Sequence, residues 1–363
     1  MAMMPEAEPN GGKAAAMYWR SAALAMLSVR FVQGFIYWGG GSRRFFYAPG
    51  KLDPDSPVWM ANKLQTAIPG ALFGVGDIIK FLLLHFWLLY PAIIVFSAVE
   101  LVAGLMLITG TLTRLAALAT VGLSILLMII FGWQGGTCLD EWTMAACNLA
   151  MGVSLLLIGS SAYSIDNVLA RKWPRLMARK WFVYCSGHER LPLSKLAFEG
   201  LALISCAGVI LFVVGTYDYY RGSVWSAYHA GPVSPSRHHY SVTNASVSED
   251  GSVSFTIDMD GGTSGVSGHI MAVALSDTTS ASPLASWDMQ ALSRLDAADI
   301  VNTYEYNQFK SARFGLAADV GAEAVIKLPP AGVAHPDSGF LRLSVTDVAG
   351  NEFSAPVQTS KSP

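Results

Sequence analysis

Leu115–Trp133 reads LAALATVGLSILLMIIFGW, nineteen residues without a charge. A helix that crosses a bilayer needs roughly 20 mostly apolar residues, so this stretch predicts a transmembrane helix. The rest of the chain agrees with it. Of 363 residues, 52% are hydrophobic and 14% charged, against about 25% charged in an average soluble domain. Mean hydropathy is positive.

Four further apolar runs flank the central one. The first covers about Ser21 to Trp38 and contains Arg30. The second begins at Phe81 or Phe86 and ends near Ile108, with Pro91 and Glu100 inside. The others are Thr143–Gly159 and Leu196–Gly215, the last carrying Glu199. The N-terminal run is long and is closed by no small-residue cleavage site, which predicts a retained first helix rather than a signal peptide.

Charge sets the expected orientation. Between the fourth and fifth runs lie Arg171, Lys172, Arg175, Arg179, Lys180, Arg190 and Lys195. Basic loops favour the cytoplasm, so this segment and the N-terminus are expected inside. The loops at 39–80 and 132–142 are then outside, as is everything after the fifth run. Loop 39–80 holds Arg43, Arg44, Lys51, Lys63 and Lys80 against that bias. Anion binding is one reason for such residues; the inner loop simply outweighing this one is the other.

Past Gly215 the text changes. Residues 217–236 are rich in Tyr, Ser and Pro. SVTNASVSEDGSVSFTIDM then alternates apolar and polar residues around Glu249-Asp250-Gly251, as a β-hairpin does. HIMAVALSD, AEAVIKLPP and GFLRLSVTDVAGNEFSAPV repeat the pattern, and Leu284–Gly315 leaves room for a short helix. Short strands between turn signals predict a β-sandwich. The expected fold is therefore a membrane α-helical bundle, four spans plus a fifth anchor helix, with a C-terminal extracytoplasmic β-sandwich of immunoglobulin-like shape. The expected division is a four-helix membrane domain at 1–170, a basic cytoplasmic linker at 171–195, a fifth span at 196–216 and the β domain at 217–363.

Residues 1–216 carry 16 Lys+Arg and 11 Asp+Glu; residues 217–363 carry 8 and 15. Neither half is basic enough to make nucleic acid a partner. Cys138, Cys147, Cys185 and Cys206 form no CxxC pair, and no haem CxxCH, Rossmann glycine fingerprint or Fe–S cysteine set is present. No metal, haem or flavin is expected. His229, His238 and His239 fit no metal-ligand spacing.

Two loops hold the candidate chemistry. In GGGSRRFFYAPGKLD, starting at Gly39, the glycines are expected to turn the chain tightly at the membrane surface. Arg43, Arg44 and Lys51 then gather positive charge, and arginine presents a planar fork of donors suited to oxyanions. The plainer reading is snorkelling to lipid headgroups. In FGWQGGTCLDEWT, Cys138, Asp140 and Glu141 are candidates for the catalytic groups. Trp133 and Trp142 are read as interfacial anchors or as walls for an aromatic ligand. Asp140 and Glu141 also suit the N-terminus of the next helix.

Within the membrane, Arg30 and Glu100 are the expensive residues. Such groups usually face the bundle and pair; the alternative is a quinone contact or proton route. Their depths differ by roughly 9 Å if the first helix ends at Trp38. His85, near the outer end of the second run, is interfacial or a further quinone contact. Cys147 lies roughly 13 Å along the helix from Cys138, beyond disulfide reach.

Quoted together, GGSRRFFYAPGKLD, WMANKLQTAIPG and GWQGGTCLDEWTMAA resemble the DoxD subunit of thiosulfate:quinone oxidoreductase. The closing SAYSIDNVLA resembles the wider DoxX-like membrane family. HIMAVALSD, IVNTY and AVIKLPP resemble the DoxA subunit, here fused behind DoxD. The resemblance implies oxidation of two thiosulfates to tetrathionate with a membrane quinone as electron acceptor, in the cell (inner) membrane, with homo-oligomers possible. The competing expectations are a non-catalytic membrane anchor whose β domain recruits a partner, and a small-anion transporter. The second is disfavoured because no inverted repeat or paired broken helices are evident.

Overall fold

The computed structural model describes residues 11–134, 141–160, 163–229, 231, 233–277, 283–330 and 341–359. Cys138 and Asp140 lie outside them. The helices in chain order are α1 (Gly11–Ala25), α2 (Leu27–Ser42), α3 (Met60–Ala67), α4 (Val75–Leu84), α5 (Phe86–Thr109), α6 (Thr113–Phe131), α7 (Glu141–Ile158), α8 (Ile165–Lys172), α9 (Pro174–Met177), α10 (Lys180–Cys185) and α11 (Lys195–Arg221). Among the described residues, α5, α6, α7 and α11 are long and apolar enough to span a membrane. Met17–Ala25 and Leu27–Tyr47, bent by 42° at a short break, meet the same length and apolarity when taken together as one span. The protein is a multi-pass membrane protein.

The chain divides into two compact units. One comprises 1–53, 90–128 and 141–219; the other comprises 54–89, 129–140 and 220–363.

In the helical unit, the expected tight turn at Gly39 is overturned. α2 runs through the glycines to Ser42 and continues as a π-helix over Arg43–Tyr47. Gly40 and Gly41, with Gly34 before them, serve packing instead, while Gly39 faces open space. A Cβ at Gly34 would lie 2.8 Å from the Ile108 nitrogen, and one at Gly41 would lie 2.6 Å from the Leu101 backbone. Gly34 and Gly41 are seven residues apart, two turns on one face, so α2 meets α5 almost backbone to backbone. Small residues allow such approach inside a membrane, where helices associate by close packing. The two helices run antiparallel: Arg30 lies by Gly110, Gly34 by Gly104 and Gly41 by Leu101. The uncertain start of the second run is settled by His85, whose backbone separates α4 from α5.

The segment at 171–195 is a short helical run whose end is held by two buried charges. Asp166 is fully buried and accepts from the nitrogens of Leu112, Thr113 and Gly187. Arg114, 2% exposed, donates to the carbonyls of Leu156, Val183, Ser186 and Glu189. Carbonyls at the ends of α7 and α10 and in the residues after α10 are thereby paired. Burial holds the His188 imidazole below its usual pKa; its Nδ1 pairs with the Ser186 hydroxyl at 2.7 Å.

The strands are β1 (His239–Val247), β2 (Val253–Gly261), β3 (Gly268–Asp277), β4 (Pro283–Trp287), then helix α12 (Met289–Ser293). After it come β5 (Ile300–Asn302), β6 (Lys310–Ala312), β7 (Gly315–Ala318), β8 (Glu323–Leu328), β9 (Leu341–Asp347) and β10 (Glu352–Thr359). Their order is β5-β8-β2-β1-β10-β9-β3-β7-β6, with β4 added to β3. Among the described residues only the β1–β10 pairing, at Ala245↔Val357, is parallel, and it joins the two halves of the sandwich. The expected hairpin is β1–β2. Its turn is closed by Asp250, which accepts from the Ser252 amide and hydroxyl. Along β2, Val253, Phe255, Ile257 and Met259 point inward in strict alternation. The β9–β10 turn is built on buried Asp347, which accepts from the amides of Ala349 and Asn351. The short helix expected within 284–315 is α12.

Candidate functional site

In the helical unit, the antiparallel register of α2 and α5 brings the start of the π-helix to the side of Glu100. Arg44 forms an ion pair with Glu100, and both side chains are largely buried, 14% and 13% exposed. Arg44 also reaches the Ser97 hydroxyl at 3.5 Å and stands 5.8 Å from the Phe96 ring centre. Lys51 and Tyr37 lie within electrostatic reach of Glu100. The Tyr37 hydroxyl, buried one level deeper on α2, bonds the Ser124 hydroxyl at 2.8 Å and the Thr120 carbonyl. A polar cluster built from α2, the π-helix, α5 and α6 therefore lies within the helical bundle. Arg43 and Lys51 beside it are exposed.

Arg30 does not pair with Glu100. It donates to the Tyr163 carbonyl at 2.7 Å and lies within electrostatic reach of Asp166. The cause is the helical reading of 39–47. Arg30 stands opposite Gly110, ten residues or about 15 Å of helix from Glu100, and the longer α2 delivers Arg44 there instead. Gly40 completes the geometry, since a Cβ at this position would overlap the Glu100 carboxylate.

The other candidates are held in place by packing. Trp142 donates to the Thr216 hydroxyl at 3.1 Å and its ring lies 5.5 Å from Tyr217, tying α7 to α11. Glu141 opens α7. Cys147 sits on the continuous α7 and, like Cys206, is exposed. In the second unit, Trp133 is 1% exposed, donates to the Ala67 carbonyl and lies on the bare face of Gly70. It is a core residue there, neither an interfacial anchor nor an open wall. His85 bonds the Phe81 carbonyl through Nδ1 at 2.7 Å and stacks on the Phe81 ring. Lys63 donates to Gln134 at 2.9 Å, and Gln134 is turned by its bonds to Thr66. Among the described residues no group of His, Cys, Asp or Glu is arranged to hold a metal.

Sequence reading passed over Tyr37, Ser97, Arg114 and Asp166. For the last two a signal existed: each is a lone charge at the margin of an apolar run, where a partner is required.

Also in the second unit, Asp258 on β2 is pushed up to about 7, first by burial and then by the Asp260 and Glu323 carboxylates, with Lys80 of α4 acting against them. Asp260 is itself engaged by His239 and Ser241. An unfolded aspartate titrates near 4. Between about 4 and about 7 the folded chain therefore holds more protons than the unfolded one, and stability falls as pH rises through that window. Asp258→Asn should remove this decline. Thermal unfolding should show the variant equal to wild type near pH 4 and more stable near pH 8, by up to about 4 kcal/mol for a carboxyl group raised from near 4 to about 7. Parallel curves for the two proteins would refute the assignment.

A bundle of membrane-spanning helices carrying a buried guanidinium–carboxylate pair, followed by a β-sandwich, defines a membrane-integral protein with an ionisable site inside its helical unit. Two family models match it in chain order: thiosulfate:quinone oxidoreductase (TQO) small subunit DoxD over residues 25–194, and TQO small subunit DoxA over residues 220–355. The chain belongs to these TQO subunit families as a fused DoxD/DoxA protein.

Proposed function

We propose that the chain oxidises two thiosulfates to tetrathionate and reduces a membrane quinone. The observation that carries this reading is the Arg44–Glu100 pair, a carboxyl group within an apolar span, bordered by the exposed cations Arg43 and Lys51. Quinone reduction takes up two electrons and two protons. The two electrons come from two thiosulfates as one sulfur–sulfur bond forms between their sulfane sulfurs. Glu100 relays protons to the quinone. Arg44 holds that carboxyl group in place. Arg43 and Lys51 draw in the thiosulfate dianions and offset their mutual repulsion. Cys138, with Asp140 and Glu141 beside it, is proposed as the sulfur that takes the first thiosulfate. Its sulfur and a thiosulfate sulfane sulfur join as quinone removes two electrons, and the second thiosulfate displaces the cysteine as a thiolate. Direct joining of two thiosulfates is the other route; full activity in Cys138→Ser selects it.

The proposed location is the cell (inner) membrane, with the N-terminus cytoplasmic and the β domain periplasmic. The seven basic residues of 171–195 support it.

Purified protein given thiosulfate and a soluble quinone should produce quinol and tetrathionate. Intact protein that reduces no quinone favours the membrane-anchor reading. Arg43→Gln should raise the thiosulfate requirement by about one decade, the loss of one exposed charge-assisted bond, and leave the quinone requirement alone. Unchanged thiosulfate kinetics would make Arg43 a lipid contact.

A further inference from the structure

One face of α2 is polar along its buried length. Arg30, Gln33, Tyr37 and Gly40 are three or four residues apart, so they stand above one another on the helix. Arg44 continues the row into the π-helix. Arg30, Gln33 and Tyr37 are 6%, 0% and 3% exposed, and each meets a polar group of another element. Arg30 is held by the Tyr163 carbonyl, Gln33 donates to the Asn148 carbonyl of α7 at 2.7 Å, and Tyr37 bonds Ser124 of α6. Gly40 faces the Glu100 carboxylate. In the middle of the row two acceptors have no donor among the described residues. Gln33 Nε2 and Asn148 Nδ2 are both committed to backbone carbonyls, which leaves Gln33 Oε1 and Asn148 Oδ1 buried and unpartnered. The Gln33 amide and the Thr120 hydroxyl both reach the bare face of Gly152, each 3.2 Å from where its Cβ would stand.

We propose that this face of α2 is a proton path from the Arg30 end of the bundle to Glu100, so that the reaction draws its protons from the side of the membrane opposite to Arg43 and Lys51. The inference rests on the quinone reduction proposed above. Two thiosulfates give up two electrons as their sulfur–sulfur bond forms, and they release no proton. The quinone takes those electrons and two protons through Glu100, and the path replaces each proton from the Arg30 side. Three features argue for it. Successive levels of the row are about 4.5–6 Å apart along the helix axis, a step that one bridging water covers. Buried acceptors inside a bilayer require donors, and at Gln33 and Asn148 water is the donor that fits, with the Thr120 hydroxyl as a third partner. Tyr37 and Ser124 are hydroxyls, which accept a proton on one side and release one on the other. The row also reaches past what the Arg44–Glu100 pair needs. It ends at Tyr163, which is 79% exposed, with Asp166 within electrostatic reach to offset the Arg30 charge.

Proteoliposomes of the full chain with a pH dye in the lumen separate the two sides. Thiosulfate added outside is a dianion that does not cross the bilayer, so it drives only molecules whose Arg43 and Lys51 face outward. With a soluble quinone, and with potassium and valinomycin to remove the membrane potential, the lumen should lose about two protons per quinol and turn alkaline. Gln33→Leu should lower turnover by about two decades, within the range of a lost proton-transfer step, and leave the thiosulfate requirement unchanged. Tyr37→Phe should act in the same direction. Wild-type turnover should follow the lumenal pH, and turnover in Gln33→Leu should not. A packing defect lowers turnover without removing that dependence, and a melt near that of wild type shows the fold intact. Ser154→Ala, on the face of α7 opposite Gly152, should keep both the rate and the proton count. Quinol formation with proton loss outside rather than in the lumen overturns the inference and leaves the reaction standing, as does full lumenal uptake in both variants. Intact protein that forms no quinol overturns the proposed reaction and this inference with it.

Discussion

Replacing Glu100 with glutamine should lower thiosulfate-driven quinone reduction by about two orders of magnitude, within the range of a lost proton-transfer group. The thiosulfate requirement should stay unchanged. Glutamine keeps the shape of the side chain but neither accepts nor releases a proton. Arg44→Gln tests the other half of the pair. It leaves a carboxylate in a largely buried place without its guanidinium, and breaking such a pair from one side costs about 3–5 kcal/mol. The double variant Arg44→Gln/Glu100→Gln removes both charges and should recover most of that stability while remaining inactive. This pattern separates chemistry from architecture. Stability is read from thermal unfolding and activity from quinol formation. An active double variant would reduce the pair to a structural ion pair. Gly40→Ala should act in the same direction as Glu100→Gln, because the added methyl meets the carboxylate itself.

Exchanging Arg114 for methionine should open residues 178–194 to trypsin and lower stability by about 4 kcal/mol or more. Arg114 is 2% exposed and donates to four carbonyls, three of them in the segment 183–189. Methionine fills most of the space and supplies no donor, and each carbonyl left buried and unpaired costs about 1–3 kcal/mol. Asp166 also loses the positive charge beside it. New fragments should appear at Arg179, Lys180 and Arg190, because cleavage follows local opening. Lysine is a poor substitute at this site, since one ammonium does not reach carbonyls spread around a planar fork. Unchanged melting and an unchanged digest in Arg114→Met would show that the segment is held by its apolar contacts, Phe182 foremost.

The spans were legible because a bilayer imposes length and apolarity on each helix independently of its neighbours. The β1–β2 and β9–β10 hairpins were legible because alternation and turn chemistry are local. The α2–α5 register was not. It depends on Gly34, Gly41 and Gly104 meeting across two helices, and a glycine run reads equally as a turn until its partner is known. Taking the run as a turn ended the helix at Trp38 and matched Glu100 with Arg30. Continuing the helix by less than two turns moved the partner to Arg44. Trp133 illustrates the same limit, since its burial follows from Gly70 and the Ala67 carbonyl, both more than sixty residues away.

Sequence alone determined that this is a membrane bundle with a β-sandwich behind it, and its motifs resembled the families later matched. Those properties follow from composition, period and short motifs, each contained within one segment. Tertiary structure alone decided which cation meets Glu100, what Arg114 and Asp166 hold, and that Gln33 of α2 meets the Asn148 carbonyl of α7. Each of these is a pairing between residues far apart in the chain. The energy of a buried charge or amide lies in its partner, and only the fold brings that partner within reach.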